Sequence, residues 1–161
     1  MTSSPKGVVL LGATGSIGRS TLRVIDRQGD RFRLVAMTAG SRGESLDELA
    51  AAMNPDYMVL ARRPSERFEP GWTGDWRYGR EALSEAAADP AADLVVNALV
   101  GYACLESTLA ALGAGHRLAL ANKESLVAGG DLVLDAWRDG PGELIPVDSE
   151  HSAIHQCLAG R

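Results

Sequence analysis

Cysteine, aromatic residues and long apolar runs are all scarce in this chain, and each scarcity excludes something. Only two cysteines, Cys104 and Cys157, occur among 161 residues, and aromatics make up 5%. Two cysteines cannot build a structural zinc site or a disulfide framework, so both are expected to be buried thiols in a reducing, cytoplasmic setting. The longest apolar stretch, residues 94–105, is interrupted by Asn97 and Gly101. It falls well short of the roughly 20 residues that cross a bilayer, so no membrane partner is expected. Residues 1–7 lead directly into the apolar Val8-Val9-Leu10-Leu11, without the features of a secretory signal. Basic residues are outnumbered, 16 Lys plus Arg against 21 Asp plus Glu. The net charge of −5 argues against coating a nucleic acid.

What is present is an ordinary globular composition, 45% hydrophobic and 23% charged, at a length that suits one domain with at most a small appendage. Residues 8–11, 33–37, 57–60, 94–98, 117–121 and 143–147 read as strands. They are almost wholly apolar rather than alternating, which marks strands buried on both faces of a parallel sheet. Helical patterns lie between them at 19–28, 44–53, 80–88, 105–113 and 125–137, with a last one at 150–158. The alternation predicts an α/β fold, a doubly wound, mainly parallel Rossmann-like sheet with helices on both faces. Residues 62–79, with mixed charges and both Trp72 and Trp76, have no clear period and read as a surface excursion.

Directly after the first strand comes Gly12-Ala13-Thr14-Gly15-Ser16-Ile17-Gly18, which opens a helix. Strand, glycine loop and helix in this order let the backbone approach a pyrophosphate, with helix N-terminal N–H groups aimed at its oxygens. Thr14 and Ser16 add hydroxyls; the bland alternative is a tight packing turn. An NAD site would place a carboxylate at the end of the second strand to meet the ribose 2′-OH. That stretch instead reads Thr38-Ala39-Gly40-Ser41-Arg42, with no carboxylate before Glu44. Ser41 can donate to a phosphate and Arg42 can pair with it through a planar fork, so NADP is favoured unless Arg42 is merely a solvated loop cation.

Polar residues appear abruptly at the ends of the fifth and sixth strands, the edge where open α/β sheets bind ligands. The first block is Ala121-Asn122-Lys123-Glu124-Ser125-Leu126-Val127. Lys123 suits an anionic substrate and Asn122 and Glu124 offer hydrogen bonds, although helix capping by Ser125 with an exposed ion pair is an equal alternative. The second block is Pro146-Val147-Asp148-Ser149-Glu150-His151. Asp148 and Glu150 can offer oxygens to a hard divalent cation, or Asp148 or Ser149 can simply cap the last helix. His151 and His155 have the i, i+4 spacing of a zinc helix but lack the glutamate that accompanies it.

These three blocks, the glycine loop together with the segments 121–127 and 146–154, closely resemble the 1-deoxy-D-xylulose-5-phosphate reductoisomerase family, in order and over essentially the whole chain. The resemblance implies an NADPH-dependent enzyme that also needs a divalent cation, Mg²⁺ or Mn²⁺. It would convert a phosphorylated sugar, 1-deoxy-D-xylulose 5-phosphate, to 2-C-methyl-D-erythritol 4-phosphate in the non-mevalonate isoprenoid pathway. Carried over by position, Gly12, Thr14, Gly15, Ser16, Ile17, Gly40, Ser41, Arg42, Asn122 and Glu124 would contact the cofactor. Lys123, Ser149 and Glu150 would contact substrate, Lys123 and Glu150 as the catalytic pair, and Asp148 and Glu150 would hold the metal.

The chain departs from the family at Ser41-Arg42, where a Lys-Asn type pair is common, and at His155, where an aromatic is frequent. Family members also continue well past residue 161, so the chain is expected to be an amino-terminal part. Residues 1–147 would be the nucleotide-binding domain and 148–161 the start of a catalytic domain whose remainder brings a third metal carboxylate and a lid. Such a piece should bind nucleotide without turnover, and the full-length protein should be a homodimer. Two other readings compete: a semialdehyde-dehydrogenase-type cofactor domain, which needs a nucleophilic cysteine that neither Cys104 nor Cys157 suits, and a non-catalytic NADP-binding module.

Overall fold

The computed structural model describes residues 4–64, 68–101 and 103–160, apart from the side chains of residues 124 and 125. The strands are β1 (Lys6–Leu11), β2 (Phe32–Ala39), β3 (Tyr57–Leu60), β4 (Asp75–Tyr78), β5 (Leu94–Asn97), β6 (Arg117–Leu120) and β7 (Glu143–Pro146). The helices are α1 (Ser16–Gln28), α2 (Gly43–Met53), α3 (Arg80–Ala87), α4 (Ala103–Gly113), α5 (Lys123–Asp139) and α6 (Ser149–Ala159). The sheet order is β4-β3-β2-β1-β5-β6-β7 and every pairing is parallel. The chain winds outward from β1 in one direction and then, from β5, in the other. The carboxyl ends of β1 and β5 therefore flank the crevice where such sheets bind ligands.

Alternation along the strands divides the core between two faces. Val8, Leu10, Met37, Met58 and Leu60 pack against Leu22 and Ile25 of α1 and Leu46 and Ala50 of α2. Val9, Leu11, Val59, Val95, Leu118 and Leu120 pack on the other face against Leu83 of α3, Leu105 and Leu112 of α4 and Val133 of α5. Covering both faces is what makes the strands apolar throughout. The β1–β2 ladder slips once: Val8 pairs with Leu34 and Val9 with Ala36, so Val35 is an extra residue. The slip puts the consecutive Val35 and Ala36 on one face, between Leu34 and Met37 on the other, so the alternation of β2 changes phase there and its later residues face the same way as their β1 partners.

Three expectations need correction. The excursion at 62–79 contains an edge strand, β4, whose half-exposed Asp-Trp-Arg-Tyr lacks an apolar run. It is stabilised by aromatic contacts: Trp76 meets Phe68 and Trp72 edge-on at centroid distances of 5.4 and 6.3 Å. The helix expected at 125–137 starts at Lys123 and is broken at Gly130 (φ 42°, ψ −122°), so Ser125 lies inside it rather than at its cap. Cys104 is buried as expected, but Cys157 is exposed, because no residue of α6 is buried.

Candidate functional site

The glycine loop is held by the strand next to it. Gly12 N–H donates to the Thr38 hydroxyl (3.1 Å) and Ala13 N–H to the Thr38 carbonyl (2.8 Å). Gly12 has φ +85°, and a Cβ there would lie 2.7 Å from the Ala98 carbonyl oxygen, so only glycine fits the turn. The first intrahelical bond of α1 runs from Arg19 N–H to Gly15 O (2.9 Å). The N–H groups of Ser16, Ile17 and Gly18 precede it and have no helical acceptor, which makes this end a receptor for an anion. Ser16 and Ile17 are exposed there.

Gly12, Thr14 and Gly15 form one wall of a cleft of about 450 Å³ whose other walls include Gly40, Ser41 and Arg42 after β2 and Leu99 and Val100 after β5. Two residues not singled out in the sequence also line it: Arg62, just past β3, and Arg80, at the start of α3. Their signal was positional, since each follows the end of a strand. A larger hollow of about 850 Å³, bounded by Lys6, Arg31, Phe32 and Arg117, lies at the opposite, amino-terminal ends of the strands. The smaller cleft is the candidate site, because binding in this fold occurs at the carboxyl ends, where it holds the glycine loop.

Buried asparagines tie the cleft to the neighbouring polar edge. Asn97, the last residue of β5 and fully buried, donates to Cys104 O and to the Thr108 hydroxyl, both at 3.1 Å, and accepts from Leu99 N–H at 3.3 Å. It thereby shapes the β5–α4 turn that lines the cleft. Thr38 and Asn97 were both missed in the sequence as site residues, although each is a polar residue ending an apolar strand. Asn122, past the end of β6, is also buried, and its Nδ2 donates to Leu99 O (2.8 Å).

Beyond Asn122, β6 and β7 end side by side and bring together residues far apart in sequence. Lys123 Nζ lies 3.9 Å from Glu150 Oε1, and the Ser149 hydroxyl donates to Glu150 Oε2 (2.7 Å). The Ser149 hydrogen bond, the Glu150 N–H and Lys123 together hold the Glu150 carboxyl below its ordinary range. Asp148 caps α6, accepting from His151 N–H at 2.9 Å, while the His151 ring Nδ1 stands 2.8 and 3.0 Å from its two oxygens. Partial burial would raise the Asp148 pKa, but the His151 contacts outweigh it and lower it. The capping alternative is thus realised, on Asp148. Among the described residues no three His, Cys, Asp or Glu side chains gather as a metal site, so His151 and His155 do not form a zinc pair with a third ligand. The side chains of Glu124 and Ser125 lie outside the described residues.

A family model described as 1-deoxy-D-xylulose 5-phosphate reductoisomerase matches residues 8–130. The reductoisomerase of Mycolicibacterium smegmatis is 50% identical over 154 residues, covering 95% of this chain and 37% of its own length. That of Ralstonia nicotianae is 46% identical, with 94% and 40% covered. A structure of the Zymomonas mobilis enzyme in complex with NADPH superposes with a TM-score of 0.87 at 42% identity, covering 96% of this chain and 41% of that one. The chain thus spans about two fifths of the length of these relatives. With the model match over most of its length, the chain belongs to the 1-deoxy-D-xylulose 5-phosphate reductoisomerase family.

Proposed function

We propose that the chain is the NADPH-binding part of an enzyme that converts 1-deoxy-D-xylulose 5-phosphate to 2-C-methyl-D-erythritol 4-phosphate with the help of Mg²⁺ or Mn²⁺. The observation that carries the reading is the continuity of the sheet's carboxyl edge. The glycine cleft is joined through the Asn122–Leu99 hydrogen bond to the Lys123–Glu150 pair. In this reading a dinucleotide bound at one end has its reactive end beside an anionic substrate at the other. Related structures contain NADPH, fosmidomycin and magnesium, which supports a shared cofactor and metal.

The residues present fit the dinucleotide. Gly12, Thr14, Gly15, Ser16 and Ile17 would meet the pyrophosphate, and the space where a Gly15 side chain would stand is open, with its nearest neighbour, Gly12 O, 3.5 Å from an added Cβ. Gly40, Ser41 and Arg42 would meet the 2′-phosphate, and Asn122 and Glu124 the nicotinamide half. Lys123, Ser149 and Glu150 would orient the substrate. Asp148 and Glu150 would offer a cation two carboxylates, with water and substrate oxygens left to complete a shell of about six. When bound, the cation would supply Lewis-acid polarisation of the substrate carbonyl. Ser149 donates to the Glu150 carboxylate and Lys123 stands beside it, and both favour its ionised form.

The same reading places residues 1–147 in the nucleotide-binding domain and residues 148–161 at the start of a catalytic unit. It describes a cytoplasmic enzyme, homodimeric in full length and without nucleic-acid or membrane partners. Among the described residues no helix is long and apolar enough to cross a membrane. Calorimetry with NADPH and NADH tests it: NADPH should bind tighter, and Arg42→Ala should remove most of that preference. Binding of neither nucleotide, or equal binding of both, rejects the reading.

A further inference from the structure

Arg42 is not the only cation facing the cofactor cleft. Ala61 N–H donates to Ala39 O and Arg62 N–H to Gly40 O, both at 3.0 Å, so the β2–β3 ladder runs on past the strands. That ladder sets Arg62 alongside Gly40, with Ser41 and Arg42 next in the chain. Gly79 N–H donates to Leu60 O (2.9 Å) and so brings the end of β4 against the end of β3, with Arg80 following at the first position of α3. All three arginines line the cleft that holds the glycine loop. None forms an ion pair with a described residue; the described pairs lie at Arg33, Arg77, Arg117, Lys123 and His151.

Three arginines lining one cleft of a chain with net charge −5 concentrate positive charge there, which suits an anion. A phosphorylated dinucleotide brings two anionic groups. Its pyrophosphate is met on the α1 side by the glycine loop and the first-turn N–H groups. The arginines stand at the ends of β2, β3 and β4, on the side of β1 away from β5. Resting on the NADPH reading, we infer that Arg62, with Arg80 beside it, is a second specificity determinant of the cofactor site and grips the 2′-phosphate together with Arg42. Selection of NADPH over NADH is then shared among the ends of neighbouring strands, and the short Ser41 needs no cationic substitute.

The test uses the 161-residue chain and its Arg62→Gln, Arg62→Lys and Arg80→Gln variants, titrated with NADPH, NADH and 2′,5′-ADP, with thermal melts as a fold control. A lost charge-assisted hydrogen bond corresponds to roughly a tenfold or greater loss of affinity. Arg62→Gln should weaken NADPH and 2′,5′-ADP by about that factor and NADH by less than about twofold. Arg80→Gln should act in the same direction, and Arg62→Lys should keep part of the preference. Equal losses for NADPH and NADH would put Arg62 at the pyrophosphate or in a structural role and overturn the inference. So would an intact NADPH preference in Arg62→Gln when Arg42→Ala has lost it, and that result leaves the NADPH reading standing. A parent chain that binds neither nucleotide overturns both.

Discussion

Gly15 and Gly18 carry the same missing side chain into different surroundings. A Cβ on Gly18 would stand 2.3 Å from Gly12 O and 2.7 Å from Ala13 Cα, both backbone atoms, whereas one on Gly15 would meet nothing nearer than 3.5 Å. Gly18 therefore serves the packing of α1 on β1, and Gly15 leaves room for a ligand. Gly18→Ala should destabilise the fold by about 1–3 kcal/mol, as overpacking does, read as a lowered urea midpoint. Gly15→Ala should melt with the parent chain and yet lose NADPH binding; retained binding would show that the loop is only a packing turn. Tyr57 offers a second test. Burial and its hydrogen bond to Asp89 Oδ2 (2.8 Å) push its phenol well above the ordinary value, despite Arg77 over the ring at 3.6 Å. The unfolded tyrosine loses its proton near pH 10 and the folded one only higher, so stability should be intact below that pH and fall as pH rises above it. Tyr57→Phe should flatten this alkaline decline in pH-dependent urea melts.

At the scale of elements, the regular βα units were legible because an apolar strand and a 3.6-residue helical stripe are local patterns. β4 was not. Its four residues are half exposed, and its place at the sheet edge depends on Trp76 meeting Phe68 and Trp72 and on Asp47 of α2. Asp47 accepts from Gly71 N–H (2.9 Å) and Trp72 N–H (2.8 Å), two donors in a segment without regular structure. Asp47→Ala should cost about 1–3 kcal/mol by leaving them without that acceptor, and it should shift tryptophan fluorescence before global unfolding. A fluorescence transition coincident with that of far-UV dichroism would show that β4 is no weaker than the sheet. The break of α5 at Gly130 was legible: it falls on the pair Gly129-Gly130, a dipeptide that marks turns and kinks, although the helical stripe runs on across it.

For the whole molecule, the buried centre and the carboxyl-terminal end differ sharply. β1 and β5 are sandwiched between helices, while α6 has no buried residue and exposes Ile154 and Leu158 by 59% and 61%. Local stability follows burial, so α6 amides should exchange with deuterium much faster than those of β1 and β5. Uniform protection would contradict this picture. The Asp148–Glu150 end follows the same gradient: Asp148 is engaged by His151, and Glu150 is exposed beside Ser149 and Lys123. This chain should therefore bind Mn²⁺ only weakly, in the millimolar range or above, as incomplete oxygen sites do. Titration followed by the metal's paramagnetic signal checks it, and micromolar binding would mean that the pair is a better site than its geometry suggests.

The sequence by itself determined the fold class and the glycine loop, because both are written in neighbouring residues: apolar runs, helical spacing and glycines between a strand and a helix. The resemblance carried by its three motif blocks also pointed to the family. Only the tertiary structure decided which distant residues share a cleft. Arg62 and Arg80 reach the cleft of the glycine loop because peptide hydrogen bonds extend the β2–β3 ladder and tie β4 to β3. Lys123 meets Glu150 because β6 and β7 are parallel neighbours that end at one edge. Strand order sets both meetings, and strand order comes from packing two apolar faces at once, which no local pattern records.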